Sequence, residues 1–354
     1  MKLLVVFHMA EVFDKGLAKN LIDILKSLGP IDCRIRGITT YTAVLDAKLN
    51  EIIKFEDKPI SQLIAETSCD GAILASYSSN PEKFHAYCWL VTKHINDKPI
   101  IEIEFSSKSV IPLNDLSRQL AKTLADYLGF NLTERRTYQD NIWSDGKRIY
   151  RRILAAEPGD FVLVNGIVIG KVNSHEAILI EENGKLIDAT GISLKPHGIE
   201  KLERLGFKGL KYSKVSSIKV LRRKIDERAR IGCSKGHGIA LFDHEVTGIH
   251  SKAREIEGAI TIGDDTTLII SDILERYGKR IIGVMDGDAD GLLEFSKLPS
   301  NSILLLVDKD DEAGSIIRRE LFGDRNIVEA SFDHISSRVV DLLKPRTRII
   351  VRLR

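Results

Sequence analysis

The stretches GAITIGDD (258–265), RIIGVMDGDADG (280–291) and SILLLVDKDDEAG (302–314) decide the reading of this chain. Each is an apolar run followed at once by acids. The first ends in Asp264 and Asp265, the second in Asp286, Asp288 and Asp290, the third in Asp308, Asp310, Asp311 and Glu312. A short, continuous apolar run reads as a strand buried on both faces, as in a parallel sheet. Ligands of open α/β sheets bind beyond the carboxyl ends of such strands. Three acidic clusters at one sheet edge repel one another unless a cation sits among them. Carboxylate oxygens are hard ligands, so the expected cofactor is Mg²⁺ or Mn²⁺.

Outward from these stretches, the composition is that of a folded protein. The chain has 354 residues, of which 43% are hydrophobic and 29% charged, and its net charge of +2 excludes a polycation. No apolar run is long enough to span a bilayer, so no membrane partner is expected. The start, MKLLVVFHMAEVFD, turns acidic too early for a secretory signal and reads as a first strand entering a loop. Cys33, Cys69, Cys88 and Cys233 show no metal-type pairing, which fits free thiols in a cytoplasmic protein.

The expected fold class is α/β, with two doubly wound parallel-sheet domains flanking a small β-rich middle domain. Residues 1–130 alternate strand and helix signals. Strands are expected at Leu3 to Phe7, Cys33 to Ile38, Gly71 to Ala75 and Pro99 to Phe105. Helices are expected at Leu17 to Leu28, Ile60 to Thr67, Phe84 to Ile95 and Leu113 to Leu128. Residues 131–146 are polar and read as a linker. In the middle domain, 147–235, the pairs Asn165-Gly166 and Asn183-Gly184 sit between β-rich runs and predict hairpins. Its end is basic, with Lys208, Lys211, Lys214, Lys219, Arg222, Arg223, Lys224, Arg228 and Arg230. The C-terminal domain, 236–354, carries five strand signals: Ala259 to Ile262, Arg280 to Met285, Ile303 to Val307, Asn326 to Glu329 and Arg348 to Leu353.

In that last domain, Gly263 to Thr267 lies between a strand and a helix expected over Leu268 to Tyr277. The N-terminus of that helix offers N–H groups to a phosphate beside the carboxylates. The layout resembles the Toprim domain of primases, topoisomerases and related nucleases. That family has an acidic residue after its first strand and an Asp-x-Asp motif after a later one. Asp308-Lys309-Asp310 with Gly314 matches the later motif, and Asp264 or Asp265 takes the first position where the family has glutamate. One extra residue separates Asp310 from Gly314, and DGDADG (286–291) offers a second Asp-x-Asp. The resemblance covers only about the last hundred residues. It implies a Mg²⁺-dependent protein acting on a phosphodiester, nucleotide or nucleic acid. Asp264, Asp265, Asp308 and Asp310 are its expected catalytic carboxylates. Asp265, Asp286, Asp288, Asp308 and Asp310 are its expected metal ligands, with Thr266 and Thr267 positioning phosphate. Helix caps and Asp-Gly turns account for any one acidic cluster as well. The alternative is therefore a non-enzymatic protein that binds a small ligand or regulates a partner.

Three other features carry expectations. The loop His8 to Gly16 places His8, Glu11 and Asp14 at a sheet edge, as a ligand site or a capped turn. This His-x-x-Glu-Val-Phe-Asp start, with the chain through the middle segment, is similar to an uncharacterised archaeal protein family. Asp243-His244-Glu245 and His250 offer metal ligands without a zinc spacing, beside His175, His197 and His237. The basic stretch 201–235 offers contacts to nucleic-acid phosphates or is a solvated face.

Overall fold

In a computed structural model, the structure describes residues 1–154, 156–218, 229–231, 236–287 and 298–353, apart from the side chains of Thr39 and Ile218. The chain divides into two compact units, Met1–Asn165 with Ile169–Lys219, and Gly166–Val168 with Val220–Arg354. The architecture is mixed α/β, with two parallel-rich sheets and antiparallel sheets between them in sequence. No helix among the described residues is long and apolar enough to cross a membrane.

The first unit opens on β1 (Leu3–His8), β2 (Ile31–Ile35), β3 (Ile53–Phe55), β4 (Gly71–Ser76), β5 (Ile100–Glu104), β6 (Ser109–Pro112) and β7 (Asn131–Leu132). They form one sheet in the order β3-β2-β1-β4-β5-β6-β7. β1 to β5 are parallel, β6 runs antiparallel to β5, and β7 is parallel to β6. Leu3 to Phe7 are all buried, as a central strand covered on both faces requires. The helix Leu17–Leu28 lies where its period predicts, with Ala18, Leu21, Ile22 and Leu25 on the buried stripe. The order reverses between β1 and β4, so a crevice at their carboxyl ends follows from the topology.

The expectations shift in four places. β2 ends at Ile35, and Gly37 instead precedes the helix Ile38–Asp46. The helix expected from Phe84 begins at Pro81, because the Asn80 side chain accepts from the Lys83 N–H at 3.3 Å. The helix expected from Leu113 starts at Arg118, after β6 and a turn built on Asn114 and Ser117. The stretch read as a linker is tied down by Arg136 to Glu82 at 2.9 Å, Tyr138 to Glu82 at 2.8 Å, and the Trp89 and Tyr138 rings at 6.1 Å.

The β-rich segment comprises β8 (Ile142–Ser144), β9 (Arg148–Arg152), β10 (Phe161–Val164), β11 (Ile167–Val172), β12 (Ile178–Glu182), β13 (Lys185–Thr190), β14 (Ile192–Leu194) and β15 (Val215–Ile218). They make two four-stranded sheets, β14-β11-β10-β15 and β13-β12-β9-β8. Both Asn-Gly pairs take positive φ, at 52° and 88° for Asn165-Gly166 and 53° and 75° for Asn183-Gly184, as a type I′ hairpin turn demands. Of the basic stretch, Lys208, Lys211, Lys214 and Arg230 are exposed, while Lys219, Arg222, Arg223, Lys224 and Arg228 lie outside the described residues.

The second unit carries β16 (Ile239–Asp243), β17 (Gly258–Ile262), β18 (Arg280–Met285), β19 (Ile303–Val307), β20 (Ile327–Val328) and β21 (Thr347–Arg352). The sheet order is β20-β16-β17-β18-β19-β21, parallel from β16 to β19 and antiparallel at both edges. β16 is an addition to the five expected strands. One sheet face packs Ile260, Ile262, Val284 and Leu305 against Ala313, Ile317, Phe332 and Val339. The helix Asp264–Arg276 joins β17 to β18 and begins four residues before its expected start.

Candidate metal centre at the acidic sheet edge

The parallel strands of the second unit all point their carboxyl ends to one side. β16 ends in Asp243-His244, β17 in Gly263-Asp264, β18 in Asp286 and β19 in Asp308-Lys309-Asp310. The ladder continues into the turns, with His244 N–H donating to the Ile262 carbonyl at 3.1 Å and Gly263 N–H to the Val284 carbonyl at 3.0 Å. These bonds hold the turns side by side. The result is a triad: one carboxylate oxygen each from Asp264, Asp286 and Asp310 lies within 4.8 Å of the other two.

Two of the three carboxylates are buried, Asp264 and Asp310 each being 6% exposed. At an effective dielectric of about 20, two unit charges at this separation repel by about 3 kcal/mol. A divalent cation offsets that cost directly. The donor set fits one: all three donors are hard carboxylate oxygens. Octahedral Mg²⁺ holds oxygens at about 2.1 Å, so opposite ligands stand about 4.2 Å apart. The 4.8 Å limit on the triad is compatible with that span.

His244 sits beside the triad. Its Nδ1 lies 2.7 Å from Asp243 Oδ1, and its Nε2 lies 3.5 Å from Asp310 Oδ2 and 3.7 Å from Asp311 Oδ1. Asp243 therefore orients the ring and leaves Nε2 turned to the acidic edge. Gly263 makes room for it. With φ at +96°, a Cβ there would stand 2.8 Å from His244 Cδ2. Gly263→Ala is expected to cost about 1–3 kcal/mol through backbone strain and to displace the ring. Gly278→Ala, at φ +63° with open space around it, is the control. Thermal melts with imidazole NMR check this: His244 resonances should move only in Gly263→Ala.

A second close approach sets the position of Asp310. It starts the helix Asp310–Ile317, and a Cβ on Gly314 would lie 2.9 Å from Ile262 Cγ2 of β17. The absence of that atom lets the helix seat tightly on the strand that leads into Asp264.

The other expected site residues lie elsewhere. Asp308 is 70% exposed, with Oδ1 at 3.4 Å from Arg348 Nε on β21. Asp265 follows Asp264 in the helix, is only partly buried and stands outside the triad. Thr266 and Thr267 are buried, and the Thr267 hydroxyl shares a hydrogen bond with Thr261 Oγ1 of β17 at 2.8 Å. That hydroxyl faces the strand, because the first turn of the helix packs it there. Asp288 lies outside the described residues. His250 is buried against Tyr277, with Nδ1 to Oη at 3.2 Å, and His175 pairs with Glu157 at 3.6 Å. The sequence signal for His244 was available: IALFDH (239–244) is a further apolar run ending in polar residues, shorter than the others.

A family model described as "Uncharacterized protein conserved in archaea (DUF2117)" matches residues 5–325. The chain belongs to this family. An uncharacterized protein of Methanocaldococcus jannaschii is 33% identical over 341 residues, covering 91% of this chain and 92% of that relative. No solved structure matches. The DUF2117 match begins within β1 and runs past the helix Asp310–Ile317, so it takes in His8, His244 and the three aspartates.

The start that carries the resemblance to the DUF2117 family is also structured. His8 ends β1 in register with Ser76 of β4, at the point where the sheet order reverses. Its ring lies 4.8 Å from that of Tyr87 and 5.5 Å from that of Phe84. Burial, with the Arg36 charge adding to it and Glu11 opposing, pushes the imidazole down to about 4. The neutral ring is therefore the resident form at this edge.

Proposed function

We propose that this DUF2117 protein binds Mg²⁺ or Mn²⁺ through Asp264, Asp286 and Asp310 and acts on a phosphodiester, nucleotide or nucleic acid in the manner of a Toprim-like domain. The observation that carries the reading is the convergence of three carboxylates from three successive strand ends. A bound divalent ion would supply charge stabilisation at a phosphoryl oxygen. The chain supplies the rest. The positive dipole end at the start of the helix Asp264–Arg276 favours an anion at the same edge. His244, oriented by Asp243, is placed to hold or accept a proton through Nε2.

Calorimetric titration with MnCl₂ tests the metal, and hydrolysis of a chromogenic phosphodiester in the same buffer tests the reaction. Wild type is expected to bind one ion per chain. Asp310→Ala should lose binding and hydrolysis together. Asp308→Ala should keep the binding, because that carboxylate is turned to Arg348. Equal loss in both variants, or no heat in wild type, would contradict the assignment.

A further inference from the structure

The first unit holds a cleft that the acidic edge does not use. It encloses about 60 Å³ beneath the tied-down segment after β7. Its polar lining includes His85, Glu102 and Arg135, and its apolar wall includes Ile111, Leu113 and Trp89. Glu102 lies on β5 and is fully buried, while His85 comes from the helix Pro81–Thr92. The Glu102 carboxylate and His85 Nδ1 form a hydrogen bond. Burial works against charge on the imidazole. The bond to Glu102 and the nearby Glu82 and Glu104 outweigh it and carry the ring above its ordinary range. Burial likewise raises the Glu102 carboxyl, and His85 pulls it back only in part. The ring's other nitrogen has no hydrogen bond among the described residues.

The charges around this pair are unevenly matched. Glu82 is taken by Arg136 and Tyr138, and Glu134 lies 3.3 Å from Arg118. Arg135 has no carboxylate partner among the described residues. Its Nη1 donates to the Leu113 carbonyl at 2.9 Å, which fixes the guanidinium at the cleft and leaves its charge uncompensated. The geometry points to a binding site for a small-molecule carboxylate, held by the Arg135 guanidinium and His85 Nε2, with its apolar tail against Trp89, Ile111 and Leu113. A planar guanidinium matches a carboxylate's two oxygens. One uncompensated cation suits a monoanion. A dianionic phosphate would crowd Glu82 and Glu134 and leave the apolar wall uncovered. The volume is several times what one water needs and far below that of a nucleotide site, so a short-chain acid is the fitting size.

Propionate is the probe. Trp89 reports on the cleft, and Trp143, which stacks on Tyr150 at 5.4 Å, is removed by Trp143→Phe. Titration of that protein with propionate is expected to change Trp89 fluorescence saturably, and propionamide should not. Arg135→Ala and His85→Gln are each expected to weaken binding about tenfold. Arg135 is exposed, so its variant carries the test even if His85→Gln fails to fold. An absent response to propionate, an equal response to propionamide, tighter binding of inorganic phosphate, or unchanged affinity in Arg135→Ala would each overturn the proposal.

Discussion

In buffer stripped of divalent cations, Asp264→Asn is expected to melt several degrees above wild type. The carboxylate removed stands within 4.8 Å of those of Asp286 and Asp310 and is itself buried. Losing its charge removes two repulsive pairs, a gain of about 2 kcal/mol after relaxation and solvent screening. For a domain of this size 1 kcal/mol shifts Tm by about 2–4 °C. Saturating Mn²⁺ should invert the order. A ligand at a hundred times its Kd stabilises the folded state by about 2.7 kcal/mol, and the variant should gain little of that. Paired calorimetric scans with EDTA and with MnCl₂ read both effects. If Asp264→Asn is the less stable protein in EDTA, the carboxylate serves as a turn and helix-start residue and the metal reading fails.

The second large effect concerns acid. His8 takes up a proton at about 4 in the folded protein against an ordinary 6.5. Above 6.5 the ring is neutral in both states and costs nothing. Between 6.5 and 4 the unfolded chain binds a proton that the folded chain refuses, so stability falls as pH drops through that window. The full loss is at most about 3 kcal/mol, the shift converted at 1.36 kcal/mol per pH unit. Carboxylates also contribute to acid unfolding, so the difference between proteins is the useful quantity. Urea unfolding of wild type and His8→Gln at several pH values should give curves that diverge at high pH and converge on acidification. Parallel curves would mean that His8 titrates normally in the folded state.

Much of the framework is legible from local pattern. Arg280–Met285, Ile303–Val307 and Leu17–Leu28 end where the apolar period and the following Gly or Asp end. The two strands are short, almost wholly apolar runs, whereas the helix shows the 3.6-residue period. β16 is harder to read, since its apolar run Ile239 to Phe242 is short and is preceded by glycine-rich sequence. β6 is equally short and runs into Pro112. The segment 131–146 looks unstructured because its contacts are polar and distant in sequence, as with Arg136 and Glu82. At the acidic edge, residue type was readable and selection among like residues was not. Asp308 and Asp310 differ only in which way they face, and that is set by Arg348 on β21 and by the helix that Asp310 begins. His244 enters the site only through the alignment of β16 with β17.

The contact between Gly314 and Ile262 acts as a gauge block for the acidic edge. Nothing polar is involved, yet its thickness sets how far the third aspartate stands from the first. Inserting a single methyl group there would act like a shim. The three acids would keep their chemistry and lose their spacing, and on the proposed metal reading any preference should drift toward larger cations such as Ca²⁺.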